Sequence, residues 1–245
     1  GHMSDATFIL LAGGNQRRWN NYTGVPKHLA VVGGEPVIVR TCRQIKDRLG
    51  IHPLVVAHDP KIVEAVGEEH CFTGHNKGFI AAGALSTRSE WKARTWIMDG
   101  DAYWDKASMD QVCALEGLRA VWAQSPPQFM GFHWDSVDGR QRVEAALRTT
   151  VLAAHASKEA AKASYDNIES ERNSGSSRDM GYMLYAFHCM QGLPLCDEPH
   201  TLNGGSHRRD DPMTTLLSGK TVDFDNPYDY DGFLSHCRLD DLPPA

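Results

Sequence analysis

The chain opens on Phe8-Ile9-Leu10-Leu11, an apolar run that reads as a buried strand, and passes directly into Ala12-Gly13-Gly14-Asn15-Gln16-Arg17-Arg18-Trp19. A strand that ends in two glycines can turn sharply there. Without Cβ atoms, the backbone N–H groups of Gly13 and Gly14 can close on an anion. Arg17 or Arg18, with Lys27 from Pro26-Lys27-His28-Leu29, can then add charge-assisted hydrogen bonds to phosphate oxygens. Strand, flexible turn and cations in this order suit a grip on a triphosphate.

Short apolar runs continue to alternate with helical patterns along the chain. They predict an α/β fold in three layers, a mainly parallel twisted sheet covered by helices on both faces. Strands are expected over 7–11, 54–57, 95–98, 120–123, 129–132, 183–187 and 221–224, the last of these ending the sheet-forming series. Helices are expected over 36–48, where Pro36 suits the first turn, and over 62–66 after the turn His58-Asp59-Pro60. Further helices are expected over 79–85, 147–163 and 213–217. The segment 173–178 is polar, and 137–181 is the least patterned part of the chain.

With 245 residues, 41% of them hydrophobic, the chain can bury the core of one large domain, 4–245. Gly1-His2-Met3 resembles a cloning remnant and is set aside. The net charge of −6 argues against a general nucleic-acid surface, while a small anion needs only a local cationic pocket. The six cysteines show no C-x-x-C spacing, and neither a signal peptide nor an apolar run near eighteen residues is visible. A cytoplasmic protein with reduced thiols and no membrane partner is therefore expected. His188, Cys189, Cys196 and His200 match no common structural-zinc spacing.

A second constellation is Trp96-Ile97-Met98-Asp99-Gly100-Asp101, which brings two carboxylates to the end of an expected strand with a glycine between them. Strand C-terminal ends are where open α/β sheets bind ligands, and hard carboxylate oxygens suit Mg²⁺. Read alone, the same triplet also describes acids on a surface turn.

Together these segments resemble the GT-A-type nucleotidyltransferases, the family that joins a nucleoside triphosphate to a phosphorylated sugar or alcohol and releases pyrophosphate. Leu11 to Gly14, Arg18, Pro26, Lys27 and Leu29 match the family's opening signature, and Val32-Gly33-Gly34-Glu35-Pro36-Val37-Ile38 continues it. Gln16 fills the place of the third glycine, and Trp19 stands where Met or Leu is usual. Val222-Asp223-Phe224-Asp225-Asn226-Pro227 resembles the late acidic segment, with Asp225 in the position of a second metal ligand. Asn226 and Pro227 also read simply as a helix cap and first turn. His75-Asn76-Lys77-Gly78 resembles a nucleotide-contacting stretch before a helix, although an ordinary asparagine turn has the same composition.

The resemblance implies a GT-A, Rossmann-like fold and Mg²⁺ or Mn²⁺ as cofactor. It implies nucleotide contacts from Leu11, Ala12, Gly13, Gly14, Asn15, Arg17, Asn76 and Gly78, catalytic roles for Arg18, Lys27 and Asp101, and metal ligation by Asp99, Asp101 and Asp225. An acceptor-binding insertion is expected around 137–210, with Arg178, Arg208 and Arg209 as candidate contacts to the acceptor phosphate. CTP or UTP is the favoured triphosphate. A glycosyltransferase of the same broad fold, using a nucleotide-sugar donor, and a non-catalytic nucleotide-binding module are the alternatives.

Overall fold

A computed structural model describes residues 5–13, 19–73, 80–124, 127–164, 183–191, 212–224 and 226–243. Along the chain run β1 (Ala6–Leu11), β2 (Val31–Val32), β3 (Glu35–Pro36), α1 (Val37–Leu49), β4 (Leu54–Val56), α2 (Pro60–Val66) and β5 (Cys71–Phe72). Next come α3 (Ile80–Ser86), β6 (Arg94–Asp99), β7 (Ala102–Trp104), α4 (Lys106–Cys113), β8 (Arg119–Gln124) and β9 (Pro127–Trp134). The chain closes with α5 (Val137–Ser164), α6 (Met183–Met190), β10 (Thr214–Leu216), β11 (Thr221–Asp223) and α7 (Pro227–His236).

Local chemistry sets several of these boundaries. Asp59 caps α2 by accepting from the Lys61 N–H, and Asn226 caps α7 by accepting from the Asp229 N–H at 3.1 Å, with proline in the first turn of each helix. The capping role expected of Asn226 and Pro227 is therefore present. Pro36 instead ends β3, just ahead of α1, and Gly50 stops that helix in the left-handed conformation that glycine adopts without strain.

The main sheet has seven strands in the order β10-β8-β9-β6-β1-β4-β5, parallel except for β9. Side chains alternate across it as a pleated strand requires. Phe8, Leu10, Trp96 and Met98 pack on one face with Ile38, Ile45, Ile62, Met109 and Val112 of α1, α2 and α4. Ile9, Ile97, Phe132 and Trp134 pack on the other with Ala84, Val143, Leu147 and Phe187 of α3, α5 and α6. The three-layer, mostly parallel architecture follows.

A third cluster joins Trp19, Val32, Val37, Tyr103, Phe224, Tyr230 and Phe233 beside the two short ribbons, β2 with β3 and β7 with β11. The last expected strand lies in the β7 ribbon rather than in the main sheet.

Two expectations are corrected. Residues 183–187 form helix rather than strand, because α6 buries Met183, Tyr185, Ala186 and Phe187, leaving no alternating polar face. Residues 213–217 form strand rather than helix, since Thr214-Thr215-Leu216 pairs in parallel with Ala120-Val121-Trp122 of β8. The helix expected over 147–163 begins ten residues earlier, at Val137. Among the described residues, five cysteines are free of disulfides, and no helix is long and apolar enough to cross a membrane. His188 and Cys189 lie in α6; Cys196 and His200 lie outside the described residues.

His133 in β9 gives the fold a pH dependence. Its ring is buried, Nδ1 lies 2.8 Å from the Gly117 carbonyl, and Arg94 donates to Nε2 at 3.2 Å, so only the neutral ring satisfies both partners. Burial, followed in sign by the neighbouring Arg94 charge and opposed by the Gly117 bond, pushes its pKa from 6.5 down to about 4. The unfolded chain thus takes up the proton first as pH falls. The stabilisation from a neutral His133 is complete above pH 6.5 and declines as pH falls toward 4, by at most about 3 kcal/mol. Urea denaturation at pH 7 and pH 4.5 should show this loss, with a smaller difference between the two pH values in His133→Gln.

Candidate active site

β1 lies between β4 and β6; the chain leaves β1 toward β4 on one side and leaves β6 toward β8 on the other, so the C-terminal ends of β1 and β6 form the switch point at which open α/β sheets bind ligands. Leu11 is in register with Asp99, which sets the end of β1 beside the Asp99-Gly100-Asp101 turn after β6. The Gly100 N–H donates to the Leu11 carbonyl at 2.9 Å, and a Cβ at Gly100 would lie 2.7 Å from that same oxygen. Glycine between the two acids therefore permits close approach of the two strand ends. On the other side, the Ala12 N–H donates to the Val56 carbonyl at 2.8 Å. Leu11 and Ala12 are thus held from both neighbouring strands, and Gly13 is the last described residue before 14–18.

Pro26 leads into a single tight helical turn, Lys27–Leu29, in which the Leu29 N–H bonds back to the Pro26 carbonyl. This turn buries Lys27 and aims its Nζ at Asp101 Oδ2, 2.7 Å away. The two side chains are only 11% and 17% exposed, so water screens the pair poorly. Burial pushes the Asp101 carboxyl up, but the Lys27 ammonium, the neighbouring His28 and hydrogen bonds with Lys27 and Asp223 together hold the group well below the usual carboxylate range. His28, the next residue, is buried and its Nδ1 has no hydrogen-bond partner among the described residues. Burial pushes the imidazole down to about 4 despite the opposing pull of Asp101, so the ring is neutral at neutral pH.

The acidic partner of Asp101 among the described residues is Asp223. Antiparallel pairing sets Asp223 opposite Ala102, and its carboxyl lies within hydrogen-bonding reach of Asp101. The Gln128 amide of β9 donates to Asp223 Oδ2, and the Phe224 N–H donates to the Asp101 carbonyl at 3.3 Å. Asp99, the other acid of the turn, ends β6 and is half-buried.

Of the residues singled out from sequence, Leu11, Ala12, Gly13, Asp99 and Asp101 lie at or just beyond the C-terminal ends of β1 and β6, and Lys27 pairs with Asp101. Gly14, Asn15, Arg17, Arg18, Asn76, Gly78, Arg178, Arg208, Arg209 and Asp225 lie outside the described residues. Sequence reasoning passed over Asp223, Gln128 and His28. Asp223 carried a signal, since it precedes Asp225 by two positions in an alternating Val-Asp-Phe-Asp run, and side chains two apart share a strand face. No pattern marked Gln128.

The donor set suits a hard divalent cation. The Asp101 carboxyl, from the turn between β6 and β7, and the Asp223 carboxyl, from β11, lie within hydrogen-bonding reach of each other, an arrangement of hard oxygen donors that a cation could share. Among the described residues, no group of three or more His, Cys, Asp or Glu side chains could hold a metal ion. Mg²⁺ ordinarily uses one or two carboxylates and completes its shell with water and substrate phosphates, so the residues fit a cation that arrives with a phosphate.

A mostly parallel seven-stranded sheet layered with helices is the fold this chain shares with solved nucleotidyltransferases. The structure of CTP:phosphocholine cytidylyltransferase from Streptococcus pneumoniae superposes with a TM-score of 0.52 at 13% identity, over 94% of this chain and 98% of that one. A Bacillus anthracis protein assigned as a glucose-1-phosphate thymidylyltransferase, solved with sucrose, gives 0.52 at 12% identity over 97% and 98%. The inositol-1-phosphate CTP transferase of T. maritima gives 0.50 at 12% identity over 93% and 94%. No protein-family model and no curated protein matches the sequence.

Proposed function

We propose that this protein is a nucleotidyltransferase that joins a nucleoside triphosphate, CTP or UTP in the first instance, to a phosphorylated sugar or alcohol. The observation that carries the proposal is the meeting of Lys27, Asp101 and Asp223 beside the chain that leads into Gly13 and Gly14. The full-length likeness in fold to cytidylyl- and thymidylyltransferases supports it.

In this reaction an oxygen of the acceptor phosphate attacks the α-phosphorus. A new P–O bond forms, the bond to the bridging oxygen of the β-phosphate breaks, and pyrophosphate leaves with the electron pair. The nucleophile is already anionic, so no general base is needed, and positioning with charge neutralisation supplies the rate. The glycine segment with Arg17 and Arg18 would hold the β- and γ-phosphates. Lys27 would neutralise charge developing around the α-phosphate, and its pairing with Asp101 keeps the ammonium in place before substrate arrives. Asp101, with Asp225 and Asp223, would hold Mg²⁺ or Mn²⁺, which when bound offsets negative charge on the phosphates. Contacts from Asn76 and Gly78 to the nucleotide, and from Arg178, Arg208 and Arg209 to the acceptor, complete the proposal.

Thermal stabilisation by ATP, GTP, CTP and UTP with Mg²⁺, measured beside UDP- and GDP-sugars, tests this reading, because a ligand bound only by the folded state raises the melting point. A shift with CTP or UTP alone is expected. A shift confined to nucleotide-sugars would make the protein a glycosyltransferase instead, and binding of a triphosphate without pyrophosphate release in the presence of acceptors would make it a non-catalytic module.

A further inference from the structure

Trp19 closes the sequence segment that begins at Gly13, and it is fully buried. Its indole N–H donates to the Val25 carbonyl at 2.8 Å, one residue ahead of the Pro26-Lys27 turn. Its ring meets Tyr22 and Tyr230 edge-on, at 5.4 Å and 5.7 Å between centroids. The same cluster holds Tyr103, two residues after Asp101, and Phe224, the residue after Asp223. Phe224 in turn packs edge-on against Tyr230. One side chain therefore stands among all three elements that bring Lys27, Asp101 and Asp223 together.

The chain around it is unusually committed to this arrangement. Asn20, Asn21, Thr23 and Gly24 all have positive φ, a conformation that costs energy for the three non-glycine residues and persists only where the surroundings hold it. Two further bonds fasten this strained strap and the neighbouring ribbon to α7: Tyr22 OH donates to Asp231 at 2.8 Å, and Tyr230 OH donates to the Val31 carbonyl at 2.7 Å. A Leu or Met at position 19 offers no N–H for Val25 and no ring edge for Tyr22 and Tyr230.

We propose that Trp19 is a positioning residue that sets Lys27 against the Asp101–Asp223 pair, so that the triphosphate grip and the acidic pair are assembled as one unit. It does this through the Val25 carbonyl on one side and the Tyr103–Phe224–Tyr230 aromatic group on the other. The kinetic consequence rests on the proposed nucleotidyl transfer; the structural one does not.

The test compares Trp19→Leu and Trp19→Phe with Trp134→Phe. Trp134 is also fully buried but belongs to the separate cluster under α3, α5 and α6, where it packs against Trp91. All three should lower the melting temperature. At a temperature where every variant is folded, the Trp19 variants should raise KM for the triphosphate at least fivefold and lower kcat/KM about tenfold or more, while Trp134→Phe leaves both unchanged. Amide hydrogen exchange, which needs no substrate, should quicken at 26–29 and 101–104 in the Trp19 variants only. If the Trp19 variants lose stability with exchange and kinetics no different from Trp134→Phe, Trp19 is a core residue and the proposal fails. If the unaltered protein binds no triphosphate, the nucleotidyl-transfer reading fails by itself, and the exchange comparison still decides the role of Trp19. If Trp19→Leu does not fold, Trp19→Phe decides.

Discussion

Asp101→Asn should reduce pyrophosphate release at least a hundredfold while the protein still folds. Asparagine keeps the shape of the side chain but removes the charge, and two consequences follow from the geometry. The Lys27 ammonium, 2.7 Å away, loses the anion that holds it, and the carboxylate pair with Asp223 loses half of its anionic oxygens. Loss of one preorganised electrostatic group at a phosphoryl-transfer site is worth roughly a hundred- to a thousandfold in turnover. The cost in stability should be smaller, about 1–3 kcal/mol, because Asn can still accept a hydrogen bond from Lys27 and the Asp223 carboxyl remains nearby. Retention of more than about a tenth of the original rate in Asp101→Asn would remove this residue from the mechanism.

The second large effect concerns folding. Arg40→Met should lower stability by about 3 kcal/mol or more, read as a fall in the urea midpoint with an unchanged slope. Arg40 lies on α1 and is 1% exposed. Its Nη1 donates to the Trp104 carbonyl and its Nη2 to the Asp240 carbonyl, both at 2.6 Å, and its guanidinium stacks 4.5 Å from the Tyr103 ring centre. Methionine keeps much of the apolar stem but leaves the Asp240 carbonyl without this donor and the Trp104 carbonyl with Gln44 alone of the two α1 donors. The neighbouring contacts of the C-terminal segment, Arg43 to the Asp241 carbonyl at 2.6 Å and Arg48 to the Asp241 carboxylate at 2.9 Å, limit the loss but do not replace the buried guanidinium. A loss below about 1 kcal/mol would mean that these outer contacts carry the segment without Arg40.

In the first half of the fold the longer elements were legible because their signals agree, while the short strands β2, β3, β5 and β7 and the helix α4 went unread. The β1 strand, its glycines, the α1 and α2 patterns and the Asp-Gly-Asp turn each combine an apolar period with a fitting terminus, and each element lies within a few residues of its expected place. The two exchanged assignments share one cause. Met183 to Phe187 and Met213 to Leu217 are short apolar runs without a clear period, for which the neighbour decides: the layer of α3 and α5 for one, an open edge of β8 for the other. The site divides in the same way. Asp101 and Lys27 sit in local motifs, whereas Asp223 gains its place only by pairing with β7, a three-residue strand too short to leave a pattern. His28 and Gln128 owe their positions to burial and to a sheet neighbour, neither of which is written locally in the chain.

The β7–β11 ribbon also has a consequence for the order in which the molecule is built. Lys220 bonds Asp105 from 115 residues away along the chain, and Arg40 meets Asp240 across 200. Contacts of this span form late, because loop closure must be met before they contribute. The central strands can therefore associate while the acidic pair is still incomplete, and a chain emerging during synthesis would acquire its two-carboxylate centre among the last of its native features. Substitutions in β11 should then slow the formation of the acidic pair more than the association of the central strands.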